Sequence, residues 1–171
     1  MSPSRRDAVQ AGLLLIAGAL VPRTGAAASA PPPASAAAAP DRGPRLDLDL
    51  VREFVVAGHG NLDRTRELLD QHPALVNAAW DWGGGDWETA LGGASHMGNR
   101  PIAELLLSRG ARMDVFCAAM TGRIEIVSAF LADDPKVVAL KGPHGIPLLR
   151  HAQAGKQPAV AALLEERGGK G

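Results

Sequence analysis

A sixteen-residue pattern occurs four times between residues 54 and 164 of this chain. Each copy has a stretch rich in small residues, then a glycine, then a second stretch that ends in two large apolar residues. The copies align without a gap and begin at Phe54, Gly92, Phe116 and Leu149. Apolar residues in the second stretch recur at helical spacing. The pattern therefore predicts an all-α fold built from four stacked helix pairs.

The glycine shared by the four copies is expected to end the first helix of each pair in the left-handed conformation. It stands at Gly60, Gly98, Gly122 and Gly155. A small residue three positions earlier allows neighbouring helices to approach closely, and these residues are Ala57, Ser95, Ala119 and Ala152. In the second helices, the paired apolar residues predict that Leu106 and Leu131 belong to the core.

Two short motifs connect the repeats to a known family. Residues 89–91 (TAL), followed by Ala94 and Gly98, resemble the T-P-L-H-x-A-A-x-x-G core of an ankyrin repeat. Residues 110–114 (GARMD) resemble the G-A-D-x-N exit of such a repeat. The resemblance implies an ankyrin-repeat solenoid over residues 46–171, with antiparallel helix pairs and short finger loops. It also implies that fingers and inner helices form a concave surface that binds another protein.

The spacing of the repeats departs from the family pattern. Successive shared glycines are separated by 38, 24 and 33 residues, whereas an ankyrin repeat is about 33 residues long. The short spacing predicts that the finger before the third repeat is missing. The long spacing predicts an insertion before the second repeat.

The N-terminus reads as an export signal. Arg5 and Arg6 precede an apolar run over residues 8–21 and a small-residue stretch that ends near Ala28, which is the order found in signal peptides. We predict cleavage of residues 1–28, export to a bacterial periplasm, and no stable membrane anchor afterwards, because the run is shorter than the roughly 20 residues that span a bilayer. The paired arginines resemble a twin-arginine signal, although Ala8 and Val9 replace its usual Phe and Leu, and the general secretory route stays open.

Composition and charge restrict which segments can fold and which partners the chain can bind. Residues 29–45 are rich in alanine and proline, which predicts a disordered spacer. The whole chain has zero net charge, and without residues 1–28 its charge is about −2, so there is no basic surplus for nucleic acid. The single cysteine, Cys117, excludes an intrachain disulfide and is expected to be a buried apolar residue. We expect a monomer whose partner is another protein.

The insertion holds the strongest candidate for a binding surface. All three tryptophans fall within residues 80–87, together with Asp86 and three glycines. In the ankyrin frame this segment is a finger, and exposed tryptophan often anchors an interface. The predicted partner-binding residues are Trp82, Asp86, Trp87, His96, His144 and Gln153. The alternative is that the indoles seal the gap beside the missing finger.

Signals for chemistry are absent from the sequence. There is no phosphate loop, dinucleotide fingerprint or nucleophile elbow, and none of the five histidines stands three or four residues from another. We therefore expect no catalytic residue, metal ligand or cofactor, and not an enzyme. The predicted function is an exported protein-binding module, with a small-ligand-binding protein or an enzyme that uses the Trp/Asp-rich finger as the alternative.

Overall fold

The computed structural model describes residues 43–171. The predicted signal peptide, with Arg5, Arg6 and Ala28, and most of the predicted spacer lie outside the described residues. Within residues 43–171 there are eight α-helices and one two-stranded sheet. The helices are α1 Leu48–Gly58, α2 Leu62–Gln71, α3 Ala90–His96, α4 Arg100–Ser108, α5 Val115–Thr121, α6 Ile124–Asp133, α7 Leu148–Ala154 and α8 Pro158–Glu166.

The helices form four pairs, and the first helices of the pairs pack in a row, with α1 on α3, α3 on α5 and α5 on α7. Helix α3 also contacts α7, so the row is curved. The predicted mainly helical fold is confirmed. In the described part of the chain, no helix has the length and apolar character needed to cross a bilayer.

The turns between paired helices confirm the glycine prediction at two positions and correct it at the other two. Gly98 and Gly122 have positive φ values of 68° and 78°. Gly60 does not have a positive φ, and Gly155 caps α7 with φ −74° while the next residue, Lys156, takes the left-handed conformation. Glycine is needed at position 155 for a different reason, because a Cβ there would collide with the carbonyl group of Met120 in α5.

The core follows the predicted apolar positions. Leu106 and Leu131 are both buried, as predicted, and so are the small residues of the first helices. Cys117 is buried too, and burial raises the pKa of its thiol to about 11. A thiol with that pKa stays protonated at neutral pH and packs as a small apolar side chain.

Two loops differ between the pairs and position the candidate site. Before α3 the chain forms a hairpin of strands β1 Ala79–Asp81 and β2 Trp87–Thr89, which we call the tryptophan hairpin. Before α7 it forms the proline loop, residues 140–147, which contains the 3-10 turn Pro143–Gly145 and is closed by a bridge between Lys141 and Pro147. Between α4 and α5 the described chain has no strand. The tryptophan hairpin and the proline loop therefore contact each other directly, through Asp86 and His144.

Candidate metal centre

Four side chains converge where the tryptophan hairpin and the proline loop meet α3. They are His59, which follows α1, Glu88 in β2, His96 at the end of α3, and His144 in the proline loop. One nitrogen or carboxylate oxygen from each residue lies within 4.8 Å of the corresponding atom of every other. The cluster therefore combines three imidazoles and one carboxylate from four separate segments of the chain.

Glu88 is the centre of the cluster and is only 1% exposed. Its Oε1 lies 3.0 Å from Nε2 of His96, and its Oε2 lies 3.3 Å from Nε2 of both His59 and His144. The indole Nε1–H of Trp82 donates a hydrogen bond of 2.8 Å to the same Oε2. The carboxylate is thus surrounded by four nitrogen atoms.

The other ring nitrogen of two histidines is already engaged. Nδ1 of His59 lies 2.9 Å from the carbonyl oxygen of Val55, and Nδ1 of His144 lies 2.8 Å from Oδ2 of Asp86. Both partners accept hydrogen bonds only, so each Nδ1 carries the proton. In a neutral ring, Nε2 then presents its lone pair to the Glu88 oxygen. Two acceptors face each other in this way only if a proton or a cation lies between them.

The pKa values of Glu88 and His59 are shifted by the close contact between the two side chains. Burial by itself opposes ionisation of Glu88, but hydrogen bonds from His59 and His96 outweigh it and hold the pKa of the carboxyl well below its usual value. The hydrogen bond to Glu88 raises the pKa of His59, against the opposing effect of partial burial. The carboxylate therefore stays charged and attracts a positive charge to the ring nitrogens.

Two consecutive glycines in α3 make room for the cluster. A Cβ at Gly93 would lie 2.8 Å from Cε1 and Nδ1 of the His59 ring. A Cβ at Gly92 would lie 3.4 Å from Cγ of Glu88 and 3.3 Å from the ring of Pro143. Each glycine inside a helix costs about 1 kcal/mol relative to alanine. This cost is explained by the close approach of the site residues to the backbone of α3.

His144 is held in an unusual backbone conformation, with φ 57°. Asp86 stabilises it twice, because Oδ1 accepts from the backbone N–H of His144 at 2.9 Å and Oδ2 contacts the ring. Such conformations cost on the order of 1–3 kcal/mol and persist where surrounding contacts impose them. The strained turn directs the imidazole toward Glu88.

The structure brings together four of the six predicted binding residues, namely Trp82, Asp86, His96 and His144. Gln153 lies nearby and lines a cavity together with His96. Trp87 is separate: it is 61% exposed and lines another cavity with Phe116 and Lys141. The third indole, Trp80, packs against the core.

His59 and Glu88 were missed by the sequence analysis. The expectation of no metal ligand rested on spacing along one helix, and this cluster draws its ligands from four segments. A usable signal was present in the pair Gly92-Gly93 three residues before His96, because adjacent glycines inside a helix indicate that other groups approach its backbone.

Comparison with models of known protein families finds no match, and neither does comparison with curated proteins. The inference of function therefore rests on the geometry of this cluster.

Proposed function

We propose that this protein binds a divalent transition-metal ion through His59, Glu88, His96 and His144. The observation that carries the proposal is the orientation of two imidazoles. His59 and His144 each engage Nδ1 with an acceptor and present Nε2 to the Glu88 carboxylate. A metal ion placed between these atoms would bond to all of them and take the place of the proton that otherwise joins a ring nitrogen to the carboxylate.

The surroundings match those of metal-binding histidines. Such histidines nearly always donate their second ring N–H to a carbonyl or carboxylate, which fixes the tautomer and the orientation of the ring. Val55 supplies the carbonyl and Asp86 the carboxylate. Trp82 orients Glu88 in a comparable way through its indole N–H.

Distances and ligand types indicate the kind of ion. A tetrahedral site with metal–ligand bonds of about 2.0–2.1 Å has ligand–ligand separations of about 3.3 Å. Oε2 of Glu88 lies 3.3 Å from Nε2 of both His59 and His144, and His96 contacts the other oxygen, Oε1, at 3.0 Å. One ligand atom from each of the four residues lies within 4.8 Å of every other, so an ion would draw them closer together. Three imidazoles favour zinc, copper, nickel or iron over magnesium and calcium, which prefer oxygen ligands. Zn²⁺ is therefore the first ion to test.

We also propose that the scaffold is an ankyrin-type solenoid. Four helix pairs in a row, a hairpin before the second pair, and Thr89 capping α3 through a 3.0 Å bond to the N–H of Gly92 support it. In such a solenoid a finger precedes each repeat. The missing third finger allows the proline loop to reach His59 and Glu88, so the irregular repeat spacing is what permits the metal site.

The test is a titration of metal-free protein with Zn²⁺ by calorimetry, with the bound metal measured by elemental analysis. We expect one ion per chain. The variants His59→Gln, Glu88→Gln and His144→Gln should each weaken binding at least tenfold. His72→Gln is the matched control, because His72 is exposed and outside the cluster. Equal Zn²⁺ affinity in all four variants, or no binding by the parent protein, contradicts the proposal.

A second candidate function is recognition of another protein, and the exposure of Trp87 favours it. This indole is 61% exposed next to a cavity of about 350 Å³, as expected of an interface anchor. In this proposal Trp87→Ala weakens capture of the partner by about 2 kcal/mol or more, with Zn²⁺ affinity and melting temperature unchanged. Undiminished capture by that variant contradicts it.

A further inference from the structure

A cavity of about 350 Å³ lies between the tryptophan hairpin and the proline loop, beside the exposed indole of Trp87. Residues of β2 line it but none of β1, and Lys141 and Gly142 line it but no residue of the returning arm, 146–147. The outer edges of the hairpin and of the loop therefore border this cavity, which we call the edge cavity. In the proposed solenoid it occupies the place of the missing third finger.

The backbone of Lys141 points away from the rest of the proline loop. On one side of it, the carbonyl oxygen of Leu140 accepts from the N–H of Leu148 at 3.1 Å. On the other side, the N–H of Gly142 donates to the carbonyl oxygen of Ile146 at 2.9 Å. Bonded and non-bonded pairs alternate along an antiparallel ladder, so the N–H and C=O of Lys141 face the outer edge. Within residues 43–171 neither group forms a hydrogen bond.

Trp87 has the same arrangement in β2. It lies opposite Asp81, and the pair next to it is bonded, with the N–H of Trp82 donating to the carbonyl oxygen of Asp86 at 2.9 Å. By the same alternation, the N–H and C=O of Trp87 face away from β1. Two walls of the edge cavity therefore each present a backbone donor and a backbone acceptor.

Resting on the proposed recognition of another protein through Trp87, we infer that the edge cavity takes an extended segment of that partner as an added β-strand. Open strand edges pair with further strands through main-chain hydrogen bonds, and side-chain pockets along the edge give specificity. A strand in this place bonds to β2 on one side and to Lys141 on the other. It fills the position that a third finger would take.

The charges at the edge cavity indicate a basic residue in the bound segment. Asp86 and Asp114 supply two carboxylates to its lining, against the single ammonium of Lys141. The carboxylate of Asp86 is engaged by His144. Asp114 uses Oδ1 to cap α5 and forms no ion pair within residues 43–171. A lysine or arginine of the segment therefore has Asp114 as its complementary charge.

The test selects binders from a phage-displayed library of random linear peptides on the immobilised full chain. We expect enriched peptides with β-branched and aromatic residues, no internal proline, and one lysine or arginine at a fixed position. Trp87→Ala should weaken binding of the selected peptide at least tenfold. Phe130→Ala, an exposed aromatic residue outside the cavity, is its control. Asp114→Asn, which retains an N-cap for α5, should weaken binding at least threefold, and Asp133→Asn should not.

Methylation of single backbone nitrogens in the selected peptide tests the strand geometry. Successive N–H groups of an inserted strand face the two walls in turn, so methylation at each of two neighbouring central residues should weaken binding about three- to tenfold. A loss at alternate residues only would place the strand on one edge and overturn the two-walled arrangement.

The outcomes separate this inference from the recognition proposal. If the peptides require Trp87 but tolerate methylation at every central nitrogen, the added strand is wrong and recognition through Trp87 stands. Enrichment of proline-rich or helical peptides, or no enrichment at all, also overturns the added strand. If the peptides bind Trp87→Ala as tightly as the parent, both proposals fail.

Discussion

Two separate groups of His144 contact the same carboxylate, that of Asp86. Its backbone N–H donates to Oδ1 at 2.9 Å, and its Nδ1 lies 2.8 Å from Oδ2. The two residues are 58 positions apart in the chain. This double contact joins the tryptophan hairpin to the proline loop and fixes which ring nitrogen of His144 faces Glu88.

Asp86→Asn should weaken Zn²⁺ binding about 10- to 100-fold, the usual effect of removing a group that orients a ligand. An amide has only one acceptor oxygen, so it cannot serve both the backbone N–H and the ring of His144. Calorimetry measures the affinity. Asp133→Asn, at the exposed end of α6, is the control, and an equal effect of both substitutions would rule out a specific role for Asp86.

Substitutions of Trp82 and Trp87 should differ in their effect on the Zn²⁺ affinity. Trp82→Phe removes the indole N–H that donates to Glu88 at 2.8 Å, and we expect about a tenfold loss of Zn²⁺ affinity. Trp87→Phe changes an indole that is 61% exposed and should leave the affinity unchanged. Equal Zn²⁺ affinity in the two variants would contradict this prediction.

Gly93→Ala should displace His59, because the added Cβ would lie 2.8 Å from two atoms of its ring. We expect at least tenfold weaker Zn²⁺ binding and a loss of about 1–3 kcal/mol in the free energy of unfolding, as for other overpacked sites. Gly60→Ala is the matched control, since a Cβ there meets nothing within 4 Å. Parent-like Zn²⁺ affinity in Gly93→Ala would show that His59 is not a ligand.

Leu106→Ala should lower the free energy of unfolding by about 2–5 kcal/mol, because it leaves a cavity in the core. Leu106 is 0% exposed. Leu140, which is 44% exposed, provides the comparison, and Leu140→Ala should cost less than about 1 kcal/mol. Urea denaturation measures both values. A small effect at Leu106 would mean that the packing of the second pair differs from that described.

His151 should lower the stability of the metal-free protein in mild acid, whereas His59, whose pKa is raised, acts in the opposite direction. Burial lowers the pKa of His151, with a smaller opposing effect from its hydrogen bond to Pro147 and with His96 and Asp114 as the charged groups that act on it. The folded chain therefore takes up the proton less readily than the unfolded chain. The contribution to stability is complete above the unfolded pKa of about 6.5 and is lost as the pH falls below it.

His151→Gln should reduce this dependence on pH, measured as the free energy of unfolding between pH 5 and pH 7. His72→Gln should retain it, because His72 is exposed. An identical pH profile for His151→Gln and the parent would show that His151 does not set the acid sensitivity.

The helices and the core could be predicted from the sequence because they depend on local patterns. Leu106, Leu131 and the small residues of the first helices follow helical periodicity, which a single chain displays directly. The prediction of a left-handed conformation was wrong at Gly60 and Gly155. At Gly155 the need for glycine comes instead from Met120 on a neighbouring helix. Contacts between distant segments leave little trace in local spacing.

The candidate site depends even more on contacts between distant segments, which local spacing does not predict. His96 and His144 could be placed on an inner helix and a loop from the repeat frame. Their meeting with His59 and Glu88 could not be predicted, because it depends on how far the proline loop folds back across the gap between α4 and α5. Only the three-dimensional arrangement shows that the loop reaches the tryptophan hairpin.

The position of His144 has a consequence for cooperativity. In a stack of repeats, each unit interacts only with its neighbours, and terminal units can unfold one by one. The four proposed ligands belong to the first pair, the second pair and the loop before the fourth, and they bypass α5 and α6. A metal ion here would link the first and second pairs to the loop before the fourth pair, in addition to the contact that α3 already makes with α7. Metal-loaded protein should then unfold in one step, whereas metal-free protein loses its terminal pairs first.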